Sequence, residues 1–185
     1  MNHIVSKVHN KLTAFFTDNK ALAVVESALL FPVLITLSFG IYDLGTAISL
    51  SQKVISASQI SADLLTRERT LTMGEIAQSL AAARLALDPY NSEGLGFDVV
   101  GVKFDEDLIP QECWRYTSEN MTPKYVQSSE TDGLGGEGEG LVVVTTRYTY
   151  TPYFSHTLIG TFDLEETSFV RGRKNAFIPM EGDTC

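Results

Sequence analysis

The stretch from Ala21 to Tyr42, ALAVVESALLFPVLITLSFGIY, is a mostly apolar run whose length suits a membrane-spanning helix. At about 1.5 Å per residue, such a helix crosses a hydrocarbon core of roughly 30 Å. The run holds one carboxylate, Glu26, near its start and one proline, Pro32, in its middle. An acid deep in a spanning helix costs roughly 2.5–3.5 kcal/mol on insertion scales, so Glu26 is a candidate functional residue.

The charge of the chain changes sign across this run. The 185 residues have a formal net charge of −9. Residues 1–20 hold Lys7, Lys11 and Lys20 against Asp18, a net charge of +2, which leaves −11 for the rest. Because basic residues stay cytoplasmic, we expect the N-terminus inside and the acidic part outside. An acidic exterior argues against nucleic acid as a partner.

A cleaved secretory signal is the main alternative for the N-terminal run. The apolar region of a signal peptide is normally 7–15 residues long and free of acids. This run is longer, follows an unusually polar leader and contains Glu26. We therefore do not expect cleavage by ordinary signal peptidase.

Beyond residue 42, the sequence predicts that the helix continues as an amphipathic stalk. An apolar stripe recurs at spacings of three and four residues, formed by Ala47, Leu50, Val54, Ala57, Ile60 and Leu64. A polar break at residues 67–69 precedes a second helix. Thr72 and Glu75 have the spacing of a capping box at its start, and turn residues at 88–91 end it.

The pattern changes to a period of two beyond residue 95, which predicts a small antiparallel sheet. Strands are expected at residues 99–104, 113–116, 141–151 and 162–171. The strongest is LVVVTTRYTYT at 141–151, which Pro152 ends because proline removes a ladder donor. The predicted fold class is α+β, a pilin-like order of a long N-terminal helix, a shorter second helix and a small antiparallel sheet. The stalk covers one sheet face.

Cysteine and histidine are sparse in the chain. Cys113 and Cys185 are the only cysteines, and both fall on the predicted external side. An oxidising compartment favours a disulfide between them, the alternative being two unpaired thiols. We expect no metal site, because nothing else stands at ligand spacing. We also expect no enzyme and no cofactor, since neither a catalytic constellation nor a phosphate loop stands out.

Three segments carry a family resemblance. ALAVVESALLFPVLI, which begins at Ala21, is similar to the N-terminal motif of the TadE/TadG-like minor pilins of the tight-adherence pilus system, the Flp-type or type IVb branch. VVVTTRYTYTPYF at residues 142–154 resembles the valine-rich strand of that family, which ends in Tyr-x-Tyr-x-Pro. SFVRGRKN at residues 168–175 resembles its closing segment. The resemblance spans residues 20–60 and 140–175.

The resemblance implies processing and an assembly role. A prepilin peptidase would cut between Ala21 and Leu22, where alanine replaces the usual glycine, and Ser27 replaces the Phe or Tyr after the glutamate. Glu26 would pair with the new N-terminal amine of a neighbouring subunit in lipid, where an unpaired charge is costly. Pro32 would loosen the helix as subunits leave the bilayer.

Each of these roles has a plainer alternative. Ala21 would be the first helical residue of an uncleaved anchor. Glu26 would lie close enough to the membrane surface to stay hydrated. Pro32 would be tolerated without a function, as prolines are in transmembrane helices.

The resulting hypothesis is a minor pilin or pseudopilin, a structural or assembly component of a tight-adherence pilus involved in surface adhesion. By resemblance, its partners are the inner membrane, a prepilin peptidase, a major Flp-type pilin, other minor pilins, and the platform and assembly ATPase. It would be a single-pass protein of the bacterial inner membrane, also incorporated in an extracellular pilus. The alternative is an uncleaved anchor that holds a periplasmic binding domain.

The expected domain organisation follows from this topology. A cytoplasmic leader occupies residues 1–21, a transmembrane helix 22–42, a periplasmic helical stalk 43–90 and a sheet domain 91–185. The acidic, glycine-rich stretch 128–140 is interpreted as a flexible, solvated connection. This stretch and Asp105-Glu106-Asp107 offer carboxylates that suit calcium, but the ligand order of an EF-hand is missing.

Overall fold

The structure is a computed structural model that describes residues 19–182 and Cys185, with side chains from Ala23 onward except Thr157 and Leu158. Residues 1–18 of the predicted leader lie outside the described residues. The chain forms two compact units with their boundary between Leu44 and Gly45.

The first element is a single long helix, α1 (Asn19–Leu65), of 47 residues. It contains the apolar run and the first part of the predicted stalk, up to Leu65, so the expected continuity of the helix is confirmed. No helix-breaking pair of residues interrupts it, and the helix continues through Pro32. Several of its hydroxyl groups donate to the carbonyl four residues earlier, which satisfies them inside the helix.

The buried face of the stalk differs in part from the predicted stripe. Ala47, Leu50, Val54 and Ala57 are buried as expected, but Ile60 is 38% exposed and Leu64 is only partly buried. Ser58, Ser61, Ala62 and Leu65 complete the buried face instead. The buried face differs from the predicted stripe at Ile60 and Leu64, because a hydrophobic pattern counts only apolar residues and omits Ser58 and Ser61.

The two serines can be buried because their hydroxyl groups have partners. Ser58 Oγ lies within hydrogen-bond distance of the carbonyl oxygen of Val144, at 3.2 Å, and of Ser168 Oγ, at 2.7 Å. Ser61 Oγ donates to the carbonyl oxygen of Ala57 at 2.8 Å. A buried polar group with a partner avoids the desolvation penalty, so these small side chains fit between helix and sheet.

The second helix, α2 (Met73–Arg84), begins with the predicted capping box. The Glu75 amide donates to Thr72 Oγ1 at 3.2 Å, and the Thr72 amide donates to Glu75 Oε2 at 2.8 Å. A 3-10 turn (Leu85–Leu87) follows. Lys53 Nζ donates to the carbonyl oxygen of Asp88 at 2.5 Å, which fixes the end of this segment to α1.

Four antiparallel strands form one sheet in the order β2-β1-β3-β4. The strands are β1 (Leu95–Phe104), β2 (Pro110–Thr117), β3 (Gly140–Tyr150) and β4 (Phe162–Arg171). All four predicted strands are present, and β1 and β2 are longer than expected. β1 extends back to Leu95 because Leu95 and Phe97 are fully buried in the core.

Both faces of the sheet contain buried side chains. One face belongs to the core shared with α1 and α2, and includes Phe97, Val99, Trp114, Val142 and Val144. The opposite face has its own cluster, which includes Val100, Val102, Phe104, Val126, Leu141 and Val143. The sequence predicted a cover for the first face only.

The stretch 128–140 helps to cover the second face. It forms the short helix α3 (Ser128–Thr131), and Thr131 is 1% exposed. Gly135 lies so close to Phe104 that an added Cβ would come within 2.0 Å of the ring. The stretch is largely exposed, as expected of a connection, but these two residues pack against the domain.

Candidate assembly site on the N-terminal helix

The first half of α1 exposes an apolar surface. Leu29 is 70% exposed and Leu37 is 59% exposed, and most large apolar side chains from Val24 to Leu44 are likewise exposed. Exposed apolar surface of this extent indicates a lipid or protein partner. Among the described helices, this one is long and apolar enough to span a membrane, and its most apolar part is not buried in the protein.

Glu26 is the one charged residue of the run from Ala21 to Tyr42. Its side chain is exposed, and Leu29 and Leu30, one turn further along, are 70% and 60% exposed. No residue in the described part of the chain forms an ion pair with it. A charge on such an apolar surface requires either hydration or an ionic partner from outside the subunit.

The hydroxyl groups near Glu26 and Pro32 are satisfied within the helix. Ser27 Oγ donates to the Ala23 carbonyl, Thr36 Oγ1 to the Pro32 carbonyl and Ser38 Oγ to the Leu34 carbonyl, each at 2.8 Å. Proline has no N–H, so the carbonyl four residues before it loses its usual backbone donor. The helix nevertheless continues. A loosening of the helix at Pro32 stays a prediction.

The predicted processing site lies at the start of the same helix. Ala21 and Leu22 have helical backbone, and Glu26 follows Leu22 by four residues. Four residues correspond to about 6 Å along a helix. The predicted cut would therefore create an amine roughly one turn before the carboxylate. The cut and the assembly role of Glu26 stay predictions.

Comparison with protein families identifies this helix. Residues 22–63 match the family model described as TadE-like protein. This segment is TadE-like. The match covers the apolar run from Leu22 onward and the stalk as far as Asp63, and it confirms the resemblance read from ALAVVESALLFPVLI. Comparisons with curated proteins and with solved structures found no significant match.

The TadE-like segment indicates a component associated with the tight-adherence pilus. The exposed apolar helix is consistent with a membrane-anchored component of that system. The other two segments of the resemblance, residues 142–154 and 168–175, lie outside the matched range. In the structure they form most of β3 and the end of β4, which pair with each other through residues such as Val142 and Val170.

A disulfide joins Cys113 to Cys185 in the second unit. Their Cα atoms are 5.2 Å apart, and 72 positions separate them in the sequence. The bond attaches the segment after β4 to β2. The same segment is held by Trp114 Nε1, which donates to the carbonyl oxygen of Ile178 at 2.8 Å. Trp114 lies across Gly101, where an added Cβ would come within 2.1 Å of Nε1.

Peptide mapping of the full chain under non-reducing conditions should recover Cys113 and Cys185 in one linked fragment, because an external oxidising compartment preserves such a bond. A reduced and alkylated sample of the same preparation is the control and should yield two separate modified peptides. Recovery of both cysteines as alkylated thiols without reduction would contradict the bond.

The sequence reading missed a buried carboxylate in β1. Asp98 is 1% exposed and accepts three short hydrogen bonds. The donors are Arg115 Nη1 at 2.7 Å, Thr117 Oγ1 at 2.7 Å and the Lys124 amide at 2.8 Å. Asp98 therefore ties β1 to β2 and to the segment after it. Only the strand register could have shown this, since Asp98 pairs with Thr117 and Val100 pairs with Arg115.

Arg115 also contacts a second acid. Its Nη2 lies 2.5 Å from Glu112 Oε2. This hydrogen bond raises the pKa of the Arg115 guanidinium, and it lowers the pKa of the Glu112 carboxyl. Both groups are therefore charged at neutral pH. Arg115 thus contacts Asp98 of β1 and Glu112 of its own strand, and the three side chains form a clasp between β1 and β2.

In the acidic turn at residues 105–107, the Asp105 carboxylate accepts hydrogen bonds from nearby residues of the β1–β2 connection. Asp105 accepts from the Ile109 amide at 2.8 Å, the Asp107 amide at 3.0 Å and Gln111 Nε2 at 2.9 Å. The bond from Ile109 contributes most to lowering the pKa of Asp105, and the bond from Gln111 follows. Among the described residues, no group of three or more His, Cys, Asp or Glu is arranged to hold a metal ion.

Proposed function

We propose that this protein is a minor pilin or pseudopilin, a structural or assembly component of a tight-adherence pilus that serves surface adhesion. The main observation in support is the TadE-like match over residues 22–63, which coincides with a long helix of exposed apolar side chains. Glu26, the single charged residue between Ala21 and Tyr42, has an exposed side chain, which supports a contact with a neighbouring subunit.

The proposed location is the bacterial inner membrane, crossed once by α1. The excess of lysine before the apolar run favours a cytoplasmic N-terminus and a periplasmic second unit. The disulfide of Cys113 and Cys185 supports the same topology, because such bonds persist in an oxidising compartment.

The proposed partners follow from the surface of α1. Other pilins would cover the exposed apolar side chains once the subunit leaves the bilayer, and the processed amine of one of them would neutralise Glu26. A prepilin peptidase, the pilus platform and the assembly ATPase would act on the subunit before that step. We propose no catalytic role and no cofactor. The buried acid of the second unit, Asp98, takes part in contacts that hold the sheet.

The intact mass of the protein tests the processing step. In cells with an active prepilin peptidase, the mature chain is expected to begin at Leu22, because Ala21 is small enough to lie beside the scissile bond. The matched variants are Ala21→Gly, which should be cut at least as well, and Ala21→Leu, which should be blocked by its larger side chain. A wild-type chain that still begins at Met1 in such cells would contradict processing and favour the uncleaved anchor.

A further inference from the structure

The β3–β4 loop, residues 151–161, exposes apolar side chains in the second unit. Tyr153 is 73% exposed, Phe154 is 53% exposed and Ile159 is 64% exposed. Phe162, which begins β4, is 38% exposed. The loop contains no Asp, Glu, Lys or Arg. Surface loops are usually polar, so three large exposed apolar residues in an uncharged loop indicate a contact surface.

The loop has a defined conformation. Pro152 and Ser155 are buried, and the single helical turn α4 (His156–Ile159) follows them. The Ile159 amide donates to the carbonyl oxygen of Ser155 at 2.9 Å, and Gly160 closes the turn at a φ of +74°, where glycine is favoured. The exposed side chains therefore flank a hydrogen-bonded turn.

Two contacts show how α1 runs along β3. Thr146 Oγ1 lies 3.5 Å from the Val54 carbonyl oxygen, and Ser58 Oγ lies 3.2 Å from the Val144 carbonyl oxygen. Four residues forward in the helix thus correspond to two residues backward in the strand, so the two elements run in opposite directions. Ala47 lies about 10 Å from Val54 toward the start of α1, and Thr149 lies about 10 Å from Thr146 toward the end of β3. Ala47 and Thr149 are therefore at about the same level.

The β3–β4 loop therefore emerges at the end of the second unit where α1 enters it. The apolar run ends at Tyr42, only three residues before Gly45, so chain connection alone keeps the start of the second unit within about 10 Å of the end of the run. The opposite end of the sheet, with the β1–β2 turn, is about 30 Å further along the strands. If α1 spans a bilayer, the end that bears the loop is the one nearest to it.

We propose that the β3–β4 loop contacts the outer surface of the bilayer, with Tyr153, Phe154 and Ile159 in the boundary between headgroups and acyl chains. This inference rests on the proposed membrane anchoring. Aromatic side chains are favoured at that depth, and an uncharged loop enters it without desolvating a charge. The first acid after the loop, Asp163, lies in β4 and accepts a hydrogen bond at 2.7 Å from Thr149 Oγ1, on the strand position opposite to it.

Tryptophan fluorescence of the full chain in vesicles tests this contact. The variant Phe154→Trp adds an indole in the loop, and the vesicles contain phosphatidylcholine brominated near the start of its acyl chains. The wild type is one control, because its single tryptophan, Trp114, is 3% exposed. The matched control is Ile109→Trp, which adds an exposed indole at the opposite end of the sheet.

The expected result is a loss of the added emission of Phe154→Trp in brominated vesicles, relative to unbrominated ones. The wild type and Ile109→Trp should lose none, because bromine quenches only at near contact. Retention of each protein in vesicles after alkaline carbonate washing is measured in parallel.

Three other outcomes would overturn the inference. If Phe154→Trp is retained after washing but is not quenched, the loop does not touch lipid. If its emission is unquenched and shifts to shorter wavelength as the protein-to-lipid ratio rises, a second copy of the chain covers the loop. If carbonate releases the protein, membrane anchoring itself fails, and this result separates failure of the proposed function from failure of the loop contact.

Discussion

Asp98→Ala is expected to lower the free energy of unfolding of the second unit by about 3–5 kcal/mol, the range found when one partner of a buried ion pair is removed. Asp98 is 1% exposed, and its two oxygens accept from a guanidinium, a hydroxyl and a backbone amide. The substitution leaves all three donors without this acceptor. Arg115 keeps Glu112 as a partner, but Glu112 lies nearer the surface.

Urea unfolding of the full chain in detergent, followed by the fluorescence of Trp114, measures this effect. Trp114 is buried in the strand that Asp98 ties to β1, so its emission reports on the unit in question. Glu119→Ala is the matched control, because Glu119 is an exposed acid in the turn after β2 and should change stability by less than about 0.5 kcal/mol. Equal midpoints for the two variants would show that the clasp contributes nothing.

Asp98 also shows where sequence patterns stop being informative. The alternation that predicted β1 began at Val99, one residue after Asp98, and aspartate is depleted in strands. Its burial depends on Arg115 and Lys124, which the strand register and a later loop bring to it. Such partners are distant in sequence, so a local pattern has no access to them.

The stalk gives a second example of the same limit. The spacing of Ala47, Leu50, Val54 and Ala57 predicted both the helix and its buried face, since a period of 3.6 is a local property. The pattern failed at Ile60 and Leu64 because Ser58 and Ser61 find hydrogen-bond partners that allow their burial. Hydrophobicity predicts a buried face well only where burial does not depend on a specific polar partner.

The candidate assembly site was predictable because it depends on the sequence alone. A single carboxylate in 22 otherwise uncharged residues is visible without a structure. The β3–β4 loop was not, although Tyr153 and Phe154 lie in a segment that resembled the pilin family. The loop stands out because its apolar side chains are exposed and because it lies at the end of the second unit where α1 enters. Both are tertiary properties.

Glu26→Ala is expected to abolish most piliation while leaving the protein at its normal level in the membrane. Glu26 forms no ion pair with a described residue, and the core of the second unit does not include it. Its removal should therefore leave the stability of that unit unchanged. Insertion should become easier, by roughly 2.5–3.5 kcal/mol at most, because a charge no longer enters the bilayer. Under the proposed pairing, the substitution removes the acceptor for the amine of a neighbouring subunit.

Two quantities test this prediction. Immunoblots of membrane fractions measure the protein level, and pilus counts by electron microscopy together with a surface-adherence assay measure piliation. Ser27→Ala is the matched control, because the Ser27 hydroxyl donates to the Ala23 carbonyl within the helix. Its loss should change neither the protein level nor piliation. Glu26→Gln separates charge from shape. It preserves the size and a hydrogen-bond acceptor but cannot neutralise an ammonium group, so its piliation should resemble that of Glu26→Ala.

The outcomes distinguish three roles for this carboxylate. If Glu26→Gln assembles like the wild type but Glu26→Ala does not, a polar contact is sufficient and the ionic pairing is wrong. If both variants assemble normally, Glu26 is an acid that stays hydrated near the membrane surface, where its charge costs little. If both proteins disappear from the membrane, Glu26 acts in folding or insertion before any neighbour is met. Loss of piliation in both variants, at normal protein level and with a mature chain that still begins at Leu22, is the result that supports pairing with a second subunit.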